Sequence, residues 1–261
     1  MQIIVSSVIL LALIALIIGV FLGVYSNIFR VEVDENIKKI RECLPGNNCG
    51  GCGFAGCDAL AEAISKKEAA VNSCSVGGEN VAKKISEIIG VESTNSVKMV
   101  AFVHCDGTCK NSNKFYEYNG VKDCRIAKTL ANNGEKKCVN ACLGYGNCVN
   151  ACKFDAISIV DGVAKVDEEK CTACKACIKA CPMKVIELVP YGKIHKVKCS
   201  NTDKGKIAMD ACKVSCIACG MCEKNCPKSA IKLINNIAKM EYDKCDDCGA
   251  CSEKCPRKCI S

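Results

Sequence analysis

The residues able to do chemistry in this chain are its cysteines, 27 of them in 261 residues, and their spacing is that of cluster ligands. Three runs match C-x2-C-x2-C-x3-C-P in full: Cys171, Cys174, Cys177 and Cys181 before Pro182; Cys216, Cys219, Cys222 and Cys226 before Pro227; Cys245, Cys248, Cys251 and Cys255 before Pro256. At that spacing a chain wraps cubane [4Fe-4S] clusters held by thiolates, so the pattern predicts an electron conduit. Zinc sites usually lack the third close cysteine and the Cys-Pro ending, and cysteine-dense disulfide scaffolds are usually short secreted chains. A fourth set, Cys49, Cys52, Cys57 and Cys74, is spaced C-x2-C-x4-C-x16-C with glycines crowding its first three members. Glycine tolerates the positive φ of tight ligand loops and lets backbone N–H groups approach sulfur.

An internal repeat sorts the remainder. Cys138, Cys142, Cys148 and Cys152 align without gaps with Cys212, Cys216, Cys222 and Cys226, and Tyr145 then occupies the position of Cys219. In a two-cluster ferredoxin the fourth cysteine of each cassette ligates the other cluster. The last module is therefore expected to hold one cluster on Cys216, Cys219, Cys222 and Cys255 and another on Cys245, Cys248, Cys251 and Cys226. The preceding module is expected to hold one on Cys171, Cys174, Cys177 and Cys152, and another on Cys142, Cys148 and Cys181. The missing ligand of that last site is assigned to Cys138, with a three-iron cluster as the alternative. A further cluster is expected from Cys105, Cys109 and Cys124 with one of Cys199, Cys212 or Cys138, giving at least five [4Fe-4S] clusters and an expected six. Cys43 and Cys259 are expected to be spare thiols. Cys212, Cys216 and Cys219 also fit the three-cysteine spacing of radical enzymes, but too little chain follows for the barrel such chemistry resembles.

The elements that must position these ligands are short. Strand, turn, strand is expected in each repeat copy, over Ala156 to Val160 and Val163 to Val166 around Asp161-Gly162, and over Ala230 to Ile234 and Ile237 to Met240 around Asn235-Asn236. Helices are expected over Asp58 to Ala70 and Glu79 to Ile89, and a charged connector or short helix over Val31 to Glu42, with Ile37 and Ile40 on one face. Phe115 to Gly120 reads as a hairpin, and His104 and His195 as structural side chains. No G-x-G-x-x-G or phosphate loop is present, so no nucleotide site is expected.

Ile3 to Tyr25 is an apolar run without a charge, long enough for one membrane-spanning helix. No Lys or Arg precedes it, and Arg30, Lys38, Lys39 and Arg41 follow it, which favours an uncleaved single-pass anchor in the cell membrane with the cluster domains on the cytoplasmic side. The formal charge of +8 counts every cysteine as neutral. Cubanes carrying roughly −2 each would make the loaded chain mildly acidic, so no nucleic-acid partner is expected. The fold class expected is α+β, organised as residues 1–27 anchor, 28–42 connector, 43–92 small helical four-cysteine domain, 93–198 first ferredoxin-like module with an extra cysteine segment, and 199–261 second module. With no Trp and 5% aromatic residues, large apolar cores are excluded and the clusters are expected to carry much of the stability.

An N-terminal anchor, then Leu44-Pro45-Gly46-Asn47-Asn48-Cys49-Gly50-Gly51-Cys52-Gly53-Phe54-Ala55-Gly56-Cys57, then ferredoxin modules: over essentially its whole length the chain resembles the B subunits of Rnf-type ion-translocating ferredoxin:NAD+ oxidoreductases, a family related to the Rsx reducing system. A similar glycine-cysteine unit occurs in corrinoid iron-sulfur proteins, without the anchor. The resemblance is to the longer, cysteine-rich form of the family found in anaerobes. It implies a subunit of a translocase that is not catalytic alone, takes electrons from soluble reduced ferredoxin, and passes them through its clusters toward the membrane-proximal Cys49 to Cys74 unit. It further implies partner subunits carrying flavins, the NAD site and the Na+ or H+ pathway. Rival readings are a membrane-anchored polyferredoxin serving a hydrogenase or other reductase, and a metal-storage protein.

Overall fold

The computed structural model describes residues 2–28, 34–91 and 97–261; the first residues of the expected connector, 28–42, fall partly outside this range. Helix α1 (Gln2–Ile28) carries a 22-residue span, Ile4–Tyr25, of mean hydropathy 3.0 with its described side chains outward. At 1.5 Å rise per residue that is about 33 Å, enough to cross a hydrocarbon core of about 30 Å.

A three-helix unit follows: α2 (Glu35–Cys43), α3 (Cys57–Ser65) and α4 (Gly78–Ile89). Asp34 caps α2, its side chain accepting from Asn36 N–H, and also accepts from Ser65 Oγ, tying α2 to the end of α3. Ile40, Leu60, Ile64 and Ile85 are essentially sealed from solvent between the helices, each stabilising the unit by about 1.5–3 kcal/mol. Helix α3 is shorter than the expected Asp58 to Ala70 because Lys67 takes a left-handed φ of 61° and the chain folds back, Glu68 N–H bonding to Ala63 O.

Beyond residue 97 the chain is built from short pieces. Strand β1 (Met99–Val103), helix α5 (Cys124–Lys128), helix α6 (Asn147–Asn150), strands β2 (Ile157–Val160) and β3 (Val163–Val166), helix α7 (Ala176–Ala180) and strand β4 (Ile186–Pro190) make the first module. Helix α8 (Gly205–Ala211), helix α9 (Met221–Lys224), strands β5 (Ile231–Ile234) and β6 (Ile237–Met240) and helix α10 (Ala250–Glu253) make the second. Both hairpins have two-residue turns with both central residues at positive φ, Asp161 (48°) with Gly162 (75°) and Asn235 (50°) with Asn236 (65°), the twist that suits paired strands. The first module gains a long-range pair, β1 antiparallel to β4 with Ala101 opposite Leu188.

The expected hairpin at Phe115 to Gly120 is absent. Phe115 N–H bonds to Glu135 O and Tyr118 N–H to the Glu135 carboxylate, so this segment pairs outward with a distant one. Residues 111–115 run between two strand-like neighbours. Ser112 bridges Cys212, Asn113 N–H bonds to Ala211 O, and Lys114 bridges Lys136.

Candidate metal centres

Each cassette repeats one backbone device. The residues flanking the second ligand position take left-handed φ: Ala173 (55°) and Lys175 (63°), Ala218 (57°) and Gly220 (73°), Asp247 (61°) and Gly249 (79°). The third residue after each fourth cysteine does likewise, at Asp155, Lys184, Ser229 and Lys258. A left-handed non-glycine residue costs roughly 1–2 kcal/mol, so the recurrence marks a loop wound around something. Gly144 (76°) and Gly146 (83°) adopt the same pair of conformations around Tyr145. The cradle persists there although a tyrosine stands at the second ligand position.

The cysteines gather in fours. Cys152, Cys171, Cys174 and Cys177 line one small cavity, and Cys216, Cys219, Cys222 and Cys255 another. Cys226, Cys245 and Cys251 lie close enough to feel one another's charge, with Cys248 exposed in the same loop. Cys52, Cys57 and Cys74 do the same, and Asn48 Oδ1 accepts from Cys57 N–H at 2.8 Å, drawing the Cys49 end of the loop onto α3. Backbone N–H groups point at sulfur throughout: Ala101 at Cys171 (3.3 Å), Ala230 at Cys226 (3.3 Å), Gly77 at Cys74 (3.4 Å).

The structure brings two sets of thiols together differently from the grouping expected from spacing. The fourth thiol beside Cys142, Cys148 and Cys181 is Cys124, not Cys138. Cys124 opens α5, whose start is fixed by the Asp123 side chain accepting from Arg125 and Ile126 N–H, while Asn147 Oδ1 accepts from Cys124 N–H at 2.7 Å. Tyr145 packs against Tyr118, at 5.8 Å between ring centroids, beside Cys124 and Leu143 with its hydroxyl buried, and the thiol beside the other three comes from α5. Cys138 joins Cys105, Cys199 and Cys212 around a buried cavity between the two modules. Cys109 is not part of this group: it is exposed, its N–H bonds to Asp161 O, and its sulfur lies on the β2–β3 turn at Gly162. The signal for the fourfold group was available in the repeat, where Cys138 and Cys212 occupy equivalent positions four residues before a first ligand.

Burial drives several of these thiols up, Cys138 and Cys148 to about 12 and Cys177, Cys199 and Cys222 to about 11. Buried thiols of this kind fit a metal-sulfur group that displaces their protons. Among the described residues no three or more His, Cys, Asp or Glu side chains are gathered tightly enough to hold a single metal ion. The expected spare thiol Cys259 is buried against two ligands: its sulfur is 3.6 Å from Cys255 Sγ, and its hydrogen bonds hold Cys216 down to about 6 and Cys255 to about 5. Cys43 is half-buried beside the α2–α4 core. His104 Nδ1–H donates to Val197 O at 2.7 Å, and His195 packs on Asp247 and Gly249.

Fold and cysteine geometry together define a multi-cluster iron-sulfur electron-transfer protein. Family models agree along the chain: an Fe-S cluster family at residues 44–76, a 4Fe-4S binding domain at 164–187 and a 4Fe-4S dicluster domain at 215–260. The chain is 47% identical over 97% of its length, and 76% of the relative's, to the B subunit of the Na(+)-translocating ferredoxin:NAD(+) oxidoreductase complex of Acetobacterium woodii. It is 42% identical over 94% of its length, and 92% of the relative's, to the B subunit of the ion-translocating oxidoreductase complex of Methanosarcina acetivorans. To the proton-translocating counterpart of Clostridium ljungdahlii it is 37% identical over 94% of its length and 87% of the relative's. The chain belongs to the family of B subunits of Rnf-type complexes, and α1 makes it a membrane-associated member.

Proposed function

We propose that this chain is a relay with six [4Fe-4S] sites, carrying electrons from reduced ferredoxin to partner subunits of an Rnf-type complex. A bound cubane supplies a one-electron carrier that makes and breaks no bonds. The chain's own part is to hold the quartets in line, and the contacts between neighbouring quartets are the observation that supports this reading.

The Cys226/Cys245/Cys248/Cys251 and Cys216/Cys219/Cys222/Cys255 sites interlock by exchanging fourth cysteines. Cys216 N–H donates to Cys199 Sγ at 3.3 Å, linking the second module to the central Cys105/Cys138/Cys199/Cys212 site. Cys142 N–H donates to Cys105 Sγ at 3.4 Å, linking that site to the Cys124/Cys142/Cys148/Cys181 site. The Cys152/Cys171/Cys174/Cys177 site follows, and Cys174 abuts Gly51 of the Cys49/Cys52/Cys57/Cys74 unit. Exposed Cys219 and Cys248 make the second module the entry for soluble ferredoxin, while the α2–α4 unit is the one joined to the membrane helix. This arrangement goes with cluster domains on the cytoplasmic side. Flavin, NAD and ion pathways are assigned to partner subunits, since one uncharged helix offers no polar path for an ion.

The test is iron and acid-labile sulfide analysis of the anaerobically purified chain, with rapid-mixing reduction by ferredoxin. About twenty-four irons per chain and bleaching on mixing are expected; eight irons or fewer, or no bleaching, would overturn the reading.

A further inference from the structure

Lys136 is only 3% exposed, and its Nζ donates to Gly107 O at 2.7 Å, Cys142 O at 2.7 Å and Gly162 O at 3.0 Å. Three acceptors around one nitrogen require three N–H donors, which only the ammonium form possesses. Among the described residues no carboxylate lies within 4.0 Å of it; the adjacent Glu135 is taken by Lys114 at 3.1 Å. A buried ammonium without a counter-charge is costly. Lys196 shows how the chain otherwise handles a buried lysine, by pairing it with Glu168.

What surrounds Lys136 is ligand loops. Cys142 belongs to one quartet. Gly107 belongs to the central one: a Cβ there would come 3.5 Å from Cys105 Sγ and 3.9 Å from Cys212 Sγ. The thiols its charge reaches are Cys105, Cys142 and Cys212, members of both quartets. The missing counter-charge is therefore the net negative charge of thiolate-bound clusters. We infer that Lys136 is a built-in counter-cation shared by the Cys105/Cys138/Cys199/Cys212 and Cys124/Cys142/Cys148/Cys181 sites, raising the reduction potential of both. Each added electron makes a cluster more negative, so a fixed positive charge beside it favours the reduced state. This inference rests on the ligand sorting proposed above.

The experiment uses the full-length, iron-loaded chain in detergent. Iron content and the number of reducible clusters in the native chain test the ligand sorting first; a Cys105→Ser chain with unchanged iron and spectra would overturn that sorting. Given the sorting, Lys136→Gln keeps hydrogen-bond donors but removes the charge. In redox-titrated EPR it is expected to lower the reduction equilibrium of two clusters about tenfold each, about 59 mV for a one-electron couple, while the Cys226/Cys245/Cys248/Cys251 cluster is unmoved. Full iron with all potentials unchanged would overturn the inference. If Lys136→Gln loses iron, Lys136→Arg decides: retention of both clusters by the charged variant supports the counter-cation, and equal loss in both variants overturns it in favour of a purely structural lysine.

Discussion

Gly51 lies so close to the backbone of Cys174 that a Cβ on it would stand 2.8 Å from the Cys174 carbonyl oxygen. This contact joins the membrane-proximal unit to the ferredoxin modules. No side chain fits there without moving one body against the other. Gly51→Val is expected to leave the iron content unchanged, to destabilise the contact by about 1–3 kcal/mol, and to slow electron passage into the Cys49/Cys52/Cys57/Cys74 site. Freeze-quenched EPR during reduction checks it; an unchanged rate of reduction of that site would remove the contact from the path.

The cradle around Tyr145 keeps its left-handed glycines on both sides, so the loop can still present a ligand. Cys124→Ala is expected to strip or convert one cubane of the first module and to leave the central site and the second module intact. Adding Tyr145→Cys to that variant is expected to restore the complete four-iron cubane, since the cysteine enters at the position Cys219 holds in the other copy. Iron and sulfide analysis of the pair gives the answer, and failure of the double variant to regain iron would show that the loop no longer reaches the site.

These two sites also show what the sequence makes legible. Cassettes, hairpins and the glycine-cysteine unit are local, and local spacing is enough to read them. Each hairpin turn appears where Asp161-Gly162 and Asn235-Asn236 announce it. The partner of Cys142 comes from a five-residue helix, α5, with no periodicity to flag it. The central quartet draws on four separate segments, joined because residues 111–115 pair with 135–137 on one side and 211–213 on the other. Nothing in an irregular segment such as Asn111 to Phe115 specifies such distant partners. Lys136 was equally hidden, because a lysine in sequence reads as surface.

Cys259 is buried, and its S–H lies against the sulfurs of Cys216 and Cys255. Cys259→Ala is expected to leave iron content unchanged while lowering the potential of the adjoining cluster, because a hydrogen bond to ligand sulfur is lost. In Cys255→Ala, Cys259 stands near enough to take over as ligand, so that cluster is expected to survive. The double variant Cys255→Ala/Cys259→Ala is expected to lose it. Equal iron in the single and double variants would rule out the takeover.

Iron removal is expected to separate the chain into unequal parts. Cysteines make up five of the fourteen buried residues in the first module's core and five of the ten in the second's, and the modules' helices α6, α7, α9 and α10 have four or five residues, far below what stands alone in water. The α2–α4 unit has its own aliphatic core. Chelation under reducing conditions is expected to abolish the protease resistance of residues 97–261 while a fragment containing α1–α4 persists longer. Limited proteolysis with mass spectrometry reads this directly; simultaneous loss of both parts would mean that the first unit depends on its cluster as heavily as the modules do.

The anchor should be separable from cluster binding but not from delivery. All cysteines lie beyond α1, and no described side chain of Ile4–Tyr25 is buried against the rest of the chain. Deleting residues 1–27 is therefore expected to give a soluble chain with full iron that is still bleached by reduced ferredoxin in stopped flow. Passing electrons onward needs the Cys49/Cys52/Cys57/Cys74 unit held beside a membrane-bound acceptor, and α1 supplies the effective concentration for that encounter, commonly in the millimolar range for a short tether. In a deletion strain the anchorless chain is expected not to restore ferredoxin-dependent NAD+ reduction by membranes, whereas the full chain does. Full complementation by the anchorless chain would count against a relay that ends at the membrane.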